Sequence, residues 1–406
     1  MIIISITPDF ALDCGYTYAG GLGVLEGDKF YAAAKLGLNY IVFTLLYRNG
    51  YVEYEFDEKG SPIPRPQPQP REFLEELKAS EEITITLRGE EVKLKPWIYR
   101  LNTARAVFFE PVEPDWAAKL ADRLYIEECL EEKFYKYVLL AKATAEYIRK
   151  NINLERVKYI DLQEAYAAML PLILKIPGKY RLIIHTPGPW GHPRFPRELF
   201  EREFGYRFIN DNVVLTDIGL AASREVFTVS AKHYDVMNKI IPHFIDKVRY
   251  VTNGVNIDRW MDPYLKKRFE ENTLTLEEFI KLRKSIRARF ESFLRSYKED
   301  VEIEDKLVVA WCRRLVPYKR PEFVMEFIEK NEDLPMIYVI AGKSHPQDSY
   351  GLQLMEKLNK LHGEKENVIY IPNYGVAEAK EILKGCLLYT SDAADELDGV
   401  DLGGRR

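Results

Sequence analysis

Short apolar runs, each closed by glycine, proline or a polar residue, alternate with helical stretches along most of this chain. Runs of three to seven residues are too short for buried helices, and their alternation with helix-period segments specifies an α/β fold built on parallel strands. Strands are expected at Ile2–Ile6, Tyr40–Leu46, Val107–Phe109, Tyr159–Leu162, Leu182–His185 and Val226–Val229. Ile83–Leu87 and Val92–Leu94 flank Arg88-Gly89-Glu90 and read as an inserted hairpin. Three further strands, Leu307–Trp311, Met336–Ile340 and Val368–Ile371, each run into a polar loop, and in open α/β sheets ligands bind outside such strand ends.

With 406 residues the chain can bury two cores. Lys and Arg total 58 against 63 Asp and Glu, a net charge of −5, which argues against a general nucleic-acid or membrane-surface binder. Any anion it holds must therefore meet local cations. The cysteines Cys14, Cys129, Cys312 and Cys386 are scattered, and the six histidines form no H-E-x-x-H, so no metal site is expected. No apolar run reaches membrane length, and the first strand is too short for a signal peptide, so a reduced cytoplasmic setting is expected.

The proline-rich stretch Ser61–Pro70 reads as an extended surface loop. Leu130, Phe134, Val138 and Ala141 mark one face of a long helix between Leu124 and Lys150. Thr275 and Glu278 form a capping box for a charged helix reaching about Ser296. Two domains follow from this pattern, 1–251 and 252–385. The stretch from Cys386 to Arg406 breaks the composition of everything before it and resembles a translated sequencing adapter. It is set apart as foreign, and the second domain is expected to be incomplete.

Two segments point to an anion. Gly20-Gly21-Leu22-Gly23 precedes a helix-like stretch, so its backbone N–H groups and a helix amino end can face a phosphate. It is not the dinucleotide fingerprint, which needs G-x-G-x-x-G. Arg314 and Lys319 lie five residues apart just past a strand, a forked donor and a point charge suited to phosphate oxygens. Gly342-Lys343-Ser344 is no Walker loop, because Ile337 stands where its first glycine belongs; Lys343 reads equally as cleft-facing or as a solvated loop lysine. His185–Pro196 is a rigid loop with two histidines and Trp190, which suits a sugar-facing wall or a plain structural loop.

Taken together, Gly20–Asp28, Leu45–Tyr51, His185–Pro196, Val251–Val255 with Trp260, Arg313–Pro321, Ala341–Pro346 and Asn373-Tyr374 resemble the glycogen/α-glucan phosphorylases, particularly their short archaeal and bacterial type. The resemblance implies a GT-B fold, two Rossmann-like domains facing a cleft. It implies transfer of a terminal glucosyl unit from an α-1,4-glucan or maltodextrin to inorganic phosphate, giving α-glucose 1-phosphate. Gly20, Gly21 and Leu22 would offer N–H groups to that phosphate, and Arg314 and Lys319 would clamp it as the catalytic cations. His185, Trp190, Tyr166 and Asn373 would face the glucan. The implied cofactor is pyridoxal 5′-phosphate, but the family's cofactor lysine falls beyond Gly385, where no matching segment exists, so the chain as written is expected to be inactive. Gln163 and Tyr166 depart from the Asn and His usual in the family. A homodimer is compatible with the resemblance. The alternatives are a nucleotide-sugar glucosyltransferase of the glycogen synthase type, disfavoured by Tyr18 where those enzymes carry lysine, and a non-catalytic glucan-binding protein.

Overall fold

Strand β1 (Ile2–Ile6) has only one polar residue in five, because it is paired on both sides and covered on both faces. In the computed structural model, which describes residues 1–331, 334–386 and 388–391, β1 runs parallel to β2 (Asn39–Leu45) and to a later strand, Val157–Gln163. Among the described residues the sheet has ten strands. Beyond β2 the hairpin strands β3 (Ile83–Leu87) and β4 (Glu90–Leu101) are joined through the long β5 (Ala104–Glu113), which pairs parallel with β2 and antiparallel with β4. On the other side of β1 it continues in parallel through β6 (Val157–Gln163), β7 (Tyr180–Ile184), β8 (Glu225–Thr228) and β9 (Val248–Tyr250). Helix α1 (Gly21–Lys35) packs Phe30, Ala33 and Ala34 with Tyr40, Val42 and Phe108 on one face. Helix α2 (Leu130–Asn151) packs Phe134, Val138 and Ala141 with Ile4, Phe43, Ile160 and Leu182 on the other.

Met1–Tyr51 and Gln67–Val255 form one compact unit; Val52–Pro66 and the described residues from Asn256 onward form a second. The second unit thus holds a segment from the first sixty-six residues, where sequence reading runs the first domain without interruption. Its sheet is all parallel, with β10 (Leu307–Cys312) between β11 (Met336–Ala341) and Leu388–Ser391, and with β12 (Val368–Ile371) beyond β11. Buried Val308, Ala310, Ile337, Val339, Ile369 and Ile371 make its core with Phe290 and Leu294. Those two come from helix α3 (Leu276–Arg295), which begins at the expected Thr275–Glu278 capping box.

Several expectations shift. The proline-rich stretch is extended but is no plain surface loop. Pro62–Arg65 pairs antiparallel with Glu53–Phe56, and Gln67 and Gln69 are buried, the Gln67 N–H bonding Asn49 O and the Gln69 amide bonding the backbone of Tyr16 and Tyr47. Helix α2 starts at Leu130, not Leu124, and Leu130 itself is exposed at its first turn. Strand β7 stops at Ile184, leaving His185 just past its end. Of the stretch set apart as foreign, Cys386 is buried with its thiol on the Val308 carbonyl at 3.0 Å, and Leu388–Ser391 lies against β10. Residues 387 and 392–406 of that stretch lie outside the described residues. No helix among the described residues is long and apolar enough to cross a membrane.

Removing the box with Thr275→Ala should lower the unfolding free energy by about 1 kcal/mol, read from guanidinium denaturation. An unchanged midpoint would show that the cap contributes nothing.

Candidate functional site

In the first unit the loop after β1 returns to start α1 at the glycines. Gly20 is its amino cap in extended backbone, with no side-chain cap and no acidic residue in the first turn. The end therefore presents N–H groups and the positive end of the helix dipole to whatever lies before it. The glycines have different reasons to be glycine. A Cβ on Gly23 would fall 2.0 Å from the buried Asp9 carboxylate, which accepts the Ala19 N–H at 3.1 Å and so fixes the loop. A Cβ on Gly20 or Gly21 would meet nothing within 4 Å. Neither needs positive φ, so local packing explains Gly23 and leaves Gly20 and Gly21 to open space.

One turn further along α1, Leu25 and Lys29 line a cavity of about 300 Å³ on the α1 face of the sheet. Its other walls are Asp161, Gln163, Arg181, Ile183, His185, residues 227–229 and the Val251–Gly254 segment. Lys29 is paired with the buried Glu26 at 2.8 Å. Arg181 forks onto Asp161 at 2.6 and 2.8 Å and lies 4.0 Å from the Tyr159 ring centroid.

His185 is held at two points. Its Nε2 meets Gln163 Oε1 at 2.9 Å, and its backbone N–H donates to Glu164 Oε1 at 3.2 Å. Burial first, then Lys29 and His233, pushes its pKa down to about 3. Burial and His192 push His233 down to about 4. His192 bonds Thr216 at 2.7 Å, and burial lowers it too. Three of the six histidines are thus neutral neighbours in one polar cluster. Glu164 has φ 62 and ψ 171, a conformation that costs a non-glycine residue roughly 1–3 kcal/mol.

Of the other residues read as glucan-facing, neither Tyr166 nor Trp190 lines this cavity. Tyr166 stacks on Tyr137 at 4.2 Å, against α2. Trp190 is half exposed, with its indole over Gly188, where a Cβ would meet the ring at 2.6 Å. Lys29, Asp161, Arg181 and Asn253 were missed as site residues. The Asn-Gly pair after a strand was their one readable signal; the rest depends on which strands adjoin.

In the second unit Arg314 and Lys319 share Tyr318. The exposed Arg314 donates to its hydroxyl at 2.9 Å, and the buried Lys319 ammonium lies 4.9 Å from its ring centroid. The two cations are therefore brought together by the short 317–319 turn. Gly342 has φ 151, and a Cβ there would lie 1.9 Å from the Arg313 carbonyl, so only glycine lets β11 end against the Arg313 backbone. Lys343 is not a solvated loop lysine: its amine donates to the Val52 carbonyl at 2.7 Å, and burial lowers its pKa to about 8. Asn373 differs from the sugar-facing expectation. Its amide accepts from Tyr54 N–H at 2.8 Å and donates to Tyr54 O at 3.0 Å, clamping the Glu53–Arg65 hairpin.

Pyridoxal phosphate needs a lysine amine for its aldehyde. Among the described residues Lys343 is tied to Val52, Lys136 to Glu127 and the Arg123 carbonyl, and Lys29 to Glu26. Lys319 sits on Tyr318. These four lysines are engaged within the fold and do not fit the cofactor. No group of metal-ligating side chains occurs among the described residues either.

These features define a two-unit α/β protein with polar loops after its parallel strands. No family model matches the chain. Maltodextrin phosphorylase of Thermococcus litoralis is 22% identical, over 96% of this chain and 57% of its own length. Glycogen phosphorylase of Aquifex aeolicus is 21% identical over 100% of this chain and 72% of its own. Glycogen phosphorylase of Mycobacterium tuberculosis is 22% identical over 96% and 57%. The chain is thus similar, along nearly its whole length, to glycogen and maltodextrin phosphorylases. It spans little more than half the length of two of these relatives.

The depressed histidines make the first unit acid-sensitive. Unfolding raises His185 and His233 toward 6.5, so the unfolded chain binds more protons between pH 6.5 and each folded value. Stability present at pH 7 is lost as pH falls through that window, by up to about 1.4 kcal/mol per pH unit for each histidine. Urea denaturation at pH 7, 6 and 5 should show that loss, with a shallower slope in His185→Gln. Equal slopes would contradict the neutral, buried assignment.

Proposed function

We propose that this chain is an α-1,4-glucan phosphorylase polypeptide of the GT-B type, binding a glucan end and inorganic phosphate. The observation that carries the reading is Gly20-Gly21: two glycines at an uncapped helix start whose side-chain positions are open space. Bare backbone there lets an oxyanion approach the first-turn N–H groups of Gly21 and Leu22, and the helix dipole favours its charge. Arg314, a forked donor, and the buried Lys319 form a separate pair of cations suited to phosphate oxygens. Fixed donors of this kind stabilise phosphate at an anomeric carbon as positive charge develops there, without reorganisation during reaction.

The neutral His185, held by Gln163 and Glu164 beside the cavity, offers a polar contact to a glucosyl unit without an unpaired buried charge. Trp190 offers an exposed indole for stacking on a sugar ring. In the phosphorylase reading, pyridoxal phosphate would, when bound, supply acid–base chemistry through its phosphate group. The amines of Lys29, Lys136 and Lys343 are already bonded within the fold and offer that group no aldehyde partner. Tyr18 disfavours the nucleotide-sugar alternative.

Calorimetric titration with phosphate in the presence of maltoheptaose tests this. Arg314→Ala and Lys319→Ala should each weaken phosphate binding by roughly tenfold, and Gly21→Val should weaken it comparably. Binding of ADP-glucose or UDP-glucose in preference to phosphate and maltoheptaose would overturn the reading.

A further inference from the structure

Six non-glycine residues besides Glu164 have positive φ, and five of them, Arg88, Asn102, Asn272, Asp305 and Arg320, are exposed. Glu164 differs. It is only 5% exposed, and its ψ of 171 puts it in backbone space that glycine alone occupies readily. A long, charged side chain is the least expected occupant of a buried glycine conformation, unless the side chain itself has work there.

Its position shows what that work is. β6 ends at Gln163, the Glu164 N–H donates to Ile183 O at 2.9 Å, and the chain then turns away into the 165–169 helical turn. The turn throws the carboxylate back across the ladder onto the His185 N–H at 3.2 Å. The neighbouring Gln163 takes the same histidine by its ring and is itself fixed by donating to Ser5 Oγ at 3.1 Å. Two successive residues of one strand end thus hold one histidine by its peptide and its imidazole. The Ile184–His185 peptide plane and the ring orientation are fixed together. Packing alone would fix neither, because His185 already lies past the last paired residue of β7.

We infer that Glu164 is a positioning residue: its carboxylate, placed by the strained turn, holds His185 in the one orientation that meets the sugar. The inference rests on the reading that His185 faces a glucosyl unit, but the clamp itself can be tested without ligand. Glu164→Gly suits the backbone and deletes the carboxylate; Glu164→Gln keeps the strain and an acceptor oxygen. Hydrogen exchange of the His185 amide should be about tenfold faster in Glu164→Gly, and its ring nitrogens should lose a single-tautomer NMR pattern. Glu164→Gln should restore both to near the parent. Maltoheptaose affinity should follow the same order, falling about tenfold in Glu164→Gly. Unchanged His185 exchange in Glu164→Gly, or a Glu164→Gln variant no better than Glu164→Gly, would overturn the clamp. Altered exchange in a parent chain that binds no maltoheptaose would leave the clamp standing and sink the glucan reading.

Discussion

The double parallel pairing of β1 is the constraint on which the first unit depends. Ile3 faces Tyr40 on one side and Tyr159 on the other, and this register continues to Ile6 opposite Phe43 and Leu162. Parallel strands send all their carboxyl ends to the same edge, so the loop after β1, the turn after β6 and the residue after β7 emerge together. A slip of one residue would exchange the two faces of β1, bringing Ile3 and Ser5 into the core that Ile4 and Ile6 now fill with α2. The cavity walls and the start of α1 inherit their positions from that ladder.

On this scaffold the polar work falls to a few buried side chains that bond backbone. Asp9 holds the Ala19 N–H and Glu164 holds the His185 N–H in the first unit. In the second, Asn373 pairs with the Tyr54 backbone and Lys343 caps the Val52 carbonyl, so two residues after parallel strands tie down a hairpin about 290 to 320 positions earlier in the chain. Such bonds gain in low dielectric and are costly to leave half made, which is why these side chains, once buried, have little freedom left for a ligand.

The alternation of apolar runs and helical segments made the strands legible, because period and length are local properties. The Thr275–Glu278 cap and the Arg88-Gly89 hairpin were legible for the same reason. Long-range partnership was not. Nothing in Asn373 reveals that its amide is taken up by Tyr54, and nothing in the proline run reveals its pairing with Glu53–Phe56 or the burial of Gln69. The glycine motif was read as a single anion loop, whereas close contact with Asp9 and Tyr18 requires Gly23 and open space surrounds Gly20 and Gly21. Arg314 and Lys319 were legible as a pair, but Tyr318 between them, which fixes their spacing, was not. Glu164 carried no signal, since a glutamate in glycine backbone can only be seen from dihedral angles.

The central claim is that the start of α1 is an oxyanion site formed by bare backbone. Titrating the 15N-labelled chain with inorganic phosphate and following its amide resonances tests this most directly. Saturable shifts centred on Gly20, Gly21 and Leu22, abolished by Gly21→Val, are the predicted result. Phosphate-dependent shifts that leave those three amides unmoved would contradict it.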